Sequence, residues 1–249
     1  MNLTNQDIKQ NSENVIRLVG AGKSDAALSI LNPILNEKCS FAKLDMLGKQ
    51  IGKLGAEMKN SRGLFQLFDR IVDYNAMGGF VIVGQALIWF LPVDFKRVME
   101  KSRDYIIKGD VWYVCDILGE RSLGHALVSR FDETLPWLKT FLEDDNRWVK
   151  RSVGVAIHFF SKRVLNEPEK TRMLLDLVEP YIEEKQIDFV KGIGWGLKTI
   201  GRYHPELMVE FLIRQLPTKK MSALMLRKAI TYLEEEKKRK VMTFTDPST

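Results

Sequence analysis

Trp112 and Asp116 stand four residues apart, so on a helix an indole and a carboxylate project from one face, one turn apart. An indole face attracts a cation by ~0.5 to 2 kcal/mol, and a carboxylate stabilises positive charge that develops beside it. The pair therefore suits chemistry on a positively charged group. The same spacing also fits a core-anchoring tryptophan next to a solvated aspartate, and Trp-x-x-x-Asp alone does not separate the two readings.

Two further segments carry cations at helical spacing. In Asn146-Arg-Trp148-Val-Lys-Arg151, Arg151 falls four residues after Arg147 and next to Lys150, and His158 and Lys162 continue its face at seven and eleven residues. Trp148, with Val149, Val153 and Val155 for neighbours, is expected in the core. No residue at ligand spacing accompanies His158, which is assigned no catalytic role. In Lys191-Gly-Ile-Gly-Trp195-Gly-Leu-Lys198, the residues Lys191, Trp195, Lys198 and Arg202 fall at offsets of 0, 4, 7 and 11, so three cations and one indole share a stripe. The plainer alternative is a solvated basic face with a half-buried tryptophan.

Composition narrows the partners. Lys and Arg outnumber Asp and Glu by 38 to 32, a net charge of +6, with a sequence pI near 9.2, a balance that favours a polyanion. There is no Gly-x-x-x-x-Gly-Lys-Ser/Thr loop, no Gly-x-Gly-x-x-Gly, no His-Glu-x-x-His and no Gly-x-Ser-x-Gly, which removes support for nucleotide hydrolysis, metalloprotease and serine hydrolase chemistry. With only Cys39 and Cys115 and three histidines, neither a disulfide framework nor a metal site is expected, and a reducing, cytoplasmic setting is the default. Residues 1–10 lack the apolar stretch of a signal peptide. The apolar run 78–93 is interrupted by Gln85, closed by Pro92 and short of the ~20 residues a bilayer requires, so a buried helix is expected there.

The elements that must carry these side chains are all helical. Leu28, Leu31, Ile34 and Leu35 form one apolar stripe, and Leu64, Leu67, Phe68, Ile71 and Val72 another. Periodicity predicts further helices near 79–89, 95–107, 111–118, 124–131, 134–142, 147–163, 168–180, 189–203, 205–215 and 222–236, and strand alternation is missing. Many short helices joined by tight turns suggest stacked helix pairs, an α-α superhelix of the HEAT-like solenoid type with a concave face. Weak self-similarity agrees: Asp110-Val-Trp112 and Asp145-Asn-Arg-Trp148 each open a helix, their tryptophans 36 residues apart. One helical-repeat domain over 1–242 is expected, followed by a charged and polar tail, with 243–249 disordered.

Taken together, Asp110-Val-Trp112-Tyr-Val-Cys-Asp116, Asn146-Arg-Trp148-Val-Lys-Arg151 and Lys191-Gly-Ile-Gly-Trp195-Gly-Leu-Lys198 resemble the DNA-contacting helices of the AlkD-like DNA alkylation repair family, the HEAT-like repeat DNA glycosylases. The likeness runs from about residue 78 to 216. Two segments depart from the family pattern. Its Gly-Trp-Ala-Leu-Arg stands here as Gly194-Trp195-Gly196-Leu197-Lys198, which keeps the charge and loses the guanidinium fork, and Leu47-Gly-Lys-Gln-Ile-Gly-Lys-Leu54 replaces a Pro-containing turn.

The resemblance implies a monomeric, cofactor-free glycosylase acting on duplex DNA that contains cationic alkylpurines of the 3-methyladenine or 7-methylguanine type. It makes Asp116, Trp112 and Trp195 the catalytic set, with Asp116 beside the oxocarbenium-like sugar and the two indoles as walls of the lesion site. It makes Arg151 a backbone contact next to the lesion, with Arg147, Lys150, Lys162, Lys191, Lys198 and Arg202 as further DNA-binding cations. Two alternatives stay open: a non-catalytic relative that grips bent or branched DNA through phosphates, and a helical-repeat scaffold for protein partners.

Overall fold

The computed structural model describes residues 3–58 and 61–244, and no strand occurs among them. The chain divides into two compact units, Met1–Ser122 and Leu123–Thr249.

The first unit contains α1 (Asn5–Gly20), α2 (Ser24–Asn36), α3 (Phe41–Ala56), α4 (Arg62–Asp73), α5 (Met77–Leu87), α6 (Phe95–Gly109) and α7 (Trp112–Leu118). Alternate helices stack in two layers, α1 on α3 on α5 on α7 and α2 on α4 on α6. Both apolar stripes noted in the sequence, on α2 and α4, are buried, and so is most of α5. The Leu47–Leu54 segment is the middle of α3, where Gly52 lets the backbone lie on Ala86 of α5; a methyl there would come within 2.7 Å of the Ala86 Cα.

A π-helical turn, Gly119–Gly124, spans the unit boundary, and the second unit contains α8 (His125–Ser129), α9 (Phe131–Leu142), α10 (Arg147–Ser161), α11 (Pro168–Val178), α12 (Ile187–Tyr203), α13 (Pro205–Gln215), α14 (Ala223–Ala229) and α15 (Glu235–Met242). Here α10, α12 and α14 form one layer and α11, α13 and α15 the other. The stacking recurs in ion pairs between residues 38 apart, Arg172 with Glu210 at 2.6 Å and Arg214 with Asp176 at 2.7 Å. The all-α class and the stacked helix pairs agree with the sequence periodicity.

Three local features differ from expectation. The helix expected over 222–236 is two: α14 stops at Ala229, and residues 230–233 form a turn in which Leu233 is buried and Tyr232 is exposed. The Thr231 hydroxyl donates to the Arg227 carbonyl at 2.8 Å, a local bond that competes with continuation of the helix. The two tryptophan-led openings are also built differently. Asn146 caps α10 by accepting from the Trp148 and Val149 amides at 2.9 and 3.2 Å, whereas Asp110 closes α6 in the left-handed region at φ 43 and α7 starts without a side-chain cap. At the C-terminus, Thr243 and Phe244 form a turn; the remainder of the tail expected to be disordered, 245–249, lies outside the described residues.

Candidate nucleic-acid interface

On α7, Val114, Cys115 and Leu118 are fully buried. They anchor the helix and leave its opposite side outward. Trp112 there is 56% exposed, in a T-shaped contact with Tyr113 at 5.8 Å between centroids. Asp116, one turn on, is partly exposed. The left-handed Asp110 makes the tight turn that leaves two residues, Asp110 and Val111, between α6 and α7; aspartate tolerates this region better than most residues. Trp112 is therefore not a core anchor. Trp148, the other helix-opening tryptophan, is 6% exposed and belongs to the core, as expected.

In the second unit, α10 and α12 approach backbone to backbone. A methyl on Gly154 would overlap the Gly192 carbonyl, and one on Gly192 would lie 2.6 Å from the Arg151 carbonyl oxygen. This contact brings the side chains of the two helices together. The His158 imidazole stacks on the Trp195 indole, centroids 4.1 Å apart and planes 24° from parallel. His158 Nδ1 lies 2.6 Å from Thr199 Oγ1, and Lys162 Nζ lies 2.9 Å from His158 Nε2. A lysine ammonium only donates, so Nε2 accepts and Nδ1 carries the proton it gives to Thr199. Thr199 in turn donates to the Trp195 carbonyl at 3.1 Å. Burial, together with the charges of Lys162 and Arg163, holds the imidazole neutral, its pKa pushed down to about 4.

The cations do not form a single stripe. Arg151 is buried, at 8% exposure, with its stem against Gly192. It acts with Lys191, Lys198 and Arg227 around Lys228 of α14, whose pKa is lowered by burial and by those four charges. Farther along α12, Lys198 and Arg202 turn to a cleft of about 170 Å3 that also receives His158, Lys162, Trp195, Thr199, Tyr203 and Tyr232. Arg147 is exposed, packs over the Trp148 ring at 4.7 Å and pairs with Asp188 at 3.6 Å; Lys150 is partly exposed. Among the described residues Lys191, Lys198, Arg202, Arg227 and Lys228 make no ion pair, while the other layer is neutralised by pairs such as Arg172 with Glu210 and Lys219 with Glu179 at 3.2 Å.

Sequence reasoning missed Lys228, Arg227 and Tyr232. Arg227-Lys228 was visible as a basic pair, but only the stacking of α14 on α12 sets it beside Lys191 and Lys198. His158, which sequence reasoning left without a role, proves to be the packed partner of Trp195. Trp112 and Asp116 belong to the first unit, and Arg151, Trp195 and the other candidate cations to the second.

The sequence profile of a family described as DNA alkylation repair enzyme matches residues 51–233. The chain belongs to that family. The match begins within α3, so the Leu47–Leu54 segment that departs from the AlkD-like pattern straddles its edge. Among solved structures, the chain resembles the Pseudomonas fluorescens alkylpurine DNA glycosylase AlkC bound to DNA containing an abasic site analog, with a TM-score of 0.57 and 17% identity. The likeness covers 95% of this chain and 66% of that one, so this chain spans just under two thirds of the glycosylase's length. At this identity it shows a shared helical fold. No curated protein sequence matches the chain. Among the described residues, no helix is long and apolar enough to cross a membrane, and no cluster of three His, Cys, Asp or Glu has the arrangement to hold a metal ion.

Proposed function

We propose that this family member is a monofunctional DNA glycosylase that binds duplex DNA and hydrolyses the N-glycosidic bond of cationic alkylpurines. The observation that carries the reading is the exposure of Trp112, 56%, with Asp116 one turn away on the same helix. A half-exposed indole one turn from a carboxylate suits a cationic ligand, which the ring attracts by ~0.5 to 2 kcal/mol.

A purine alkylated at a ring nitrogen is positively charged, and its glycosidic bond is already weakened. The indole of Trp112 would attract the cationic base. Asp116 would stabilise the oxocarbenium-like sugar and orient the attacking water, a contribution made mainly in the transition state. Trp195, its ring stacked on His158, would offer the DNA an aromatic surface of the second unit. Arg151, Arg147, Lys150, Lys162, Lys191, Lys198 and Arg202 would contact phosphates, joined by Arg227 and Lys228; that Lys191, Lys198, Arg202, Arg227 and Lys228 make no ion pair among the described residues supports an anionic partner for these five. The protein would act as a cytoplasmic monomer without cofactor.

The test is incubation of the protein with methylated duplex DNA, assaying both retained DNA and released base. Release of free alkylpurine with an abasic product supports the reading. Retention without release would reduce the protein to a binder of DNA, and neither retention nor release would favour a protein-binding scaffold.

A further inference from the structure

Tyr232 lies in the turn between α14 and α15 and is 47% exposed, while its neighbour Leu233 is buried and anchors the turn. On α12, Lys198 and Arg202 stand one helical turn apart and line the same cleft as Tyr232. Lys198 Nζ lies 5.2 Å and the Arg202 guanidinium carbon 5.1 Å from the centre of the Tyr232 ring, so two cations converge on one aromatic side chain. Arg202 also lies 5.4 Å from the ring centre of Tyr203. Neither Lys198 nor Arg202 pairs with a carboxylate among the described residues.

Arginines of the other layer are held differently. Arg172 pairs with Glu210 at 2.6 Å and Arg214 with Asp176 at 2.7 Å. A carboxylate that orients a guanidinium also occupies its N–H donors and offsets its charge. An aromatic face attracts a cation through its quadrupole, carries no net charge and takes up no conventional hydrogen bond. The Tyr232 ring can therefore fix where Lys198 and Arg202 sit while leaving their charge and their N–H donors to phosphate oxygens. Long cationic side chains lose rotamer freedom when a ligand orders them, and a ring that orders them beforehand removes part of that loss from binding.

We propose that Tyr232 is a positioning residue for DNA binding, its ring ordering Lys198 and Arg202 for the phosphate backbone without neutralising them. This role rests on the duplex-binding reading above and gives Tyr232 no contact of its own with DNA.

The experiment titrates the full chain with a labelled duplex by fluorescence anisotropy, at low salt so that weakened variants still bind measurably. Tyr232→Ala is expected to weaken binding about fivefold. Tyr232→Phe, which keeps the aromatic face, should bind like the parent, and Tyr232→Leu, which fills space without a quadrupole, should bind like Tyr232→Ala. In a Lys198→Ala, Arg202→Ala background, Tyr232→Ala should cost nothing further. Far-UV circular dichroism and thermal unfolding check the fold; if the alanine variant is disturbed, the comparison of Phe with Leu carries the test. Full binding by the leucine variant, or a phenylalanine variant as weak as alanine, overturns the proposal. An equal loss in both backgrounds also overturns it, because Tyr232 would then act on DNA directly. An alanine variant that binds like a duplex-binding parent overturns it and spares the duplex reading. A parent that binds no duplex overturns both.

Discussion

The imidazole of His158 lies flat against the indole of Trp195, with ring centroids 4.1 Å apart and 24° between the planes. One nitrogen accepts from Lys162 and the other donates to Thr199, so the ring can neither rotate nor protonate without breaking a bond. The orientation of Trp195 is thus set by a neighbouring helix.

This arrangement makes stability depend on pH. The folded-state pKa of His158 is pushed down to about 4, whereas the unfolded chain takes up the proton near 6.5. The contribution is therefore fully present above pH 6.5 and is lost as pH falls from about 6.5 towards 4. Because the ring is partly exposed, we expect about 1 to 2 kcal/mol rather than the full value of the shift. Urea unfolding at pH 7 and pH 4.5 will measure it; His158→Gln should flatten the difference, and an equal difference in that variant would contradict the assignment.

Asp116→Asn keeps shape and removes charge. Excision is expected to fall at least about a hundredfold, with duplex affinity nearly unchanged, because the carboxylate acts on the transition state. Undiminished base release would rule out the mechanism.

Trp112→Ala is expected to leave unfolding free energy within about 0.5 kcal/mol of the parent, since the ring is more than half exposed. Base release should nevertheless drop. A large loss of stability would mean that the indole is structural after all.

Two cations of the α10–α12 layer should respond differently. Lys191, exposed, should on replacement by alanine lower the slope of log K against log salt by about 0.9 with no change in stability. Arg151, buried with its stem on Gly192, should lower the slope similarly and also cost about 1 to 3 kcal/mol of stability. Thermal unfolding beside salt-dependent binding separates them; an unchanged slope in either variant removes that residue from the interface.

Gly154→Ala would drive a methyl into the backbone of Gly192, where nothing flexible can yield, and is expected to cost about 3 kcal/mol or more. Gly20→Ala, with only the tip of Met58 at 3.8 Å, should be neutral or stabilising by at most about 1 kcal/mol. Similar melting temperatures for the two variants would show that α10 and α12 are not in backbone contact.

The sequence by itself determined the helices and the chemistry of their faces. Apolar spacing of three and four residues marks α2 and α4 because one face of each must leave water. Trp112 with Asp116, and Trp195 with Lys198 and Arg202, shared faces for the same geometric reason. Register along one helix is a local property, written in residue spacing. Which faces meet is not local. Whether Trp112 points out and Trp148 in, whether Arg151 is covered, and whether Lys228 and Tyr232 join α12 depended on how helices far apart in sequence stack. That stacking depends on the glycines where α10 and α12 touch and on the break at 230–233 that halves an expected helix. Neither leaves a periodic signal, because a missing side chain and a single turn act only through the neighbour they let approach.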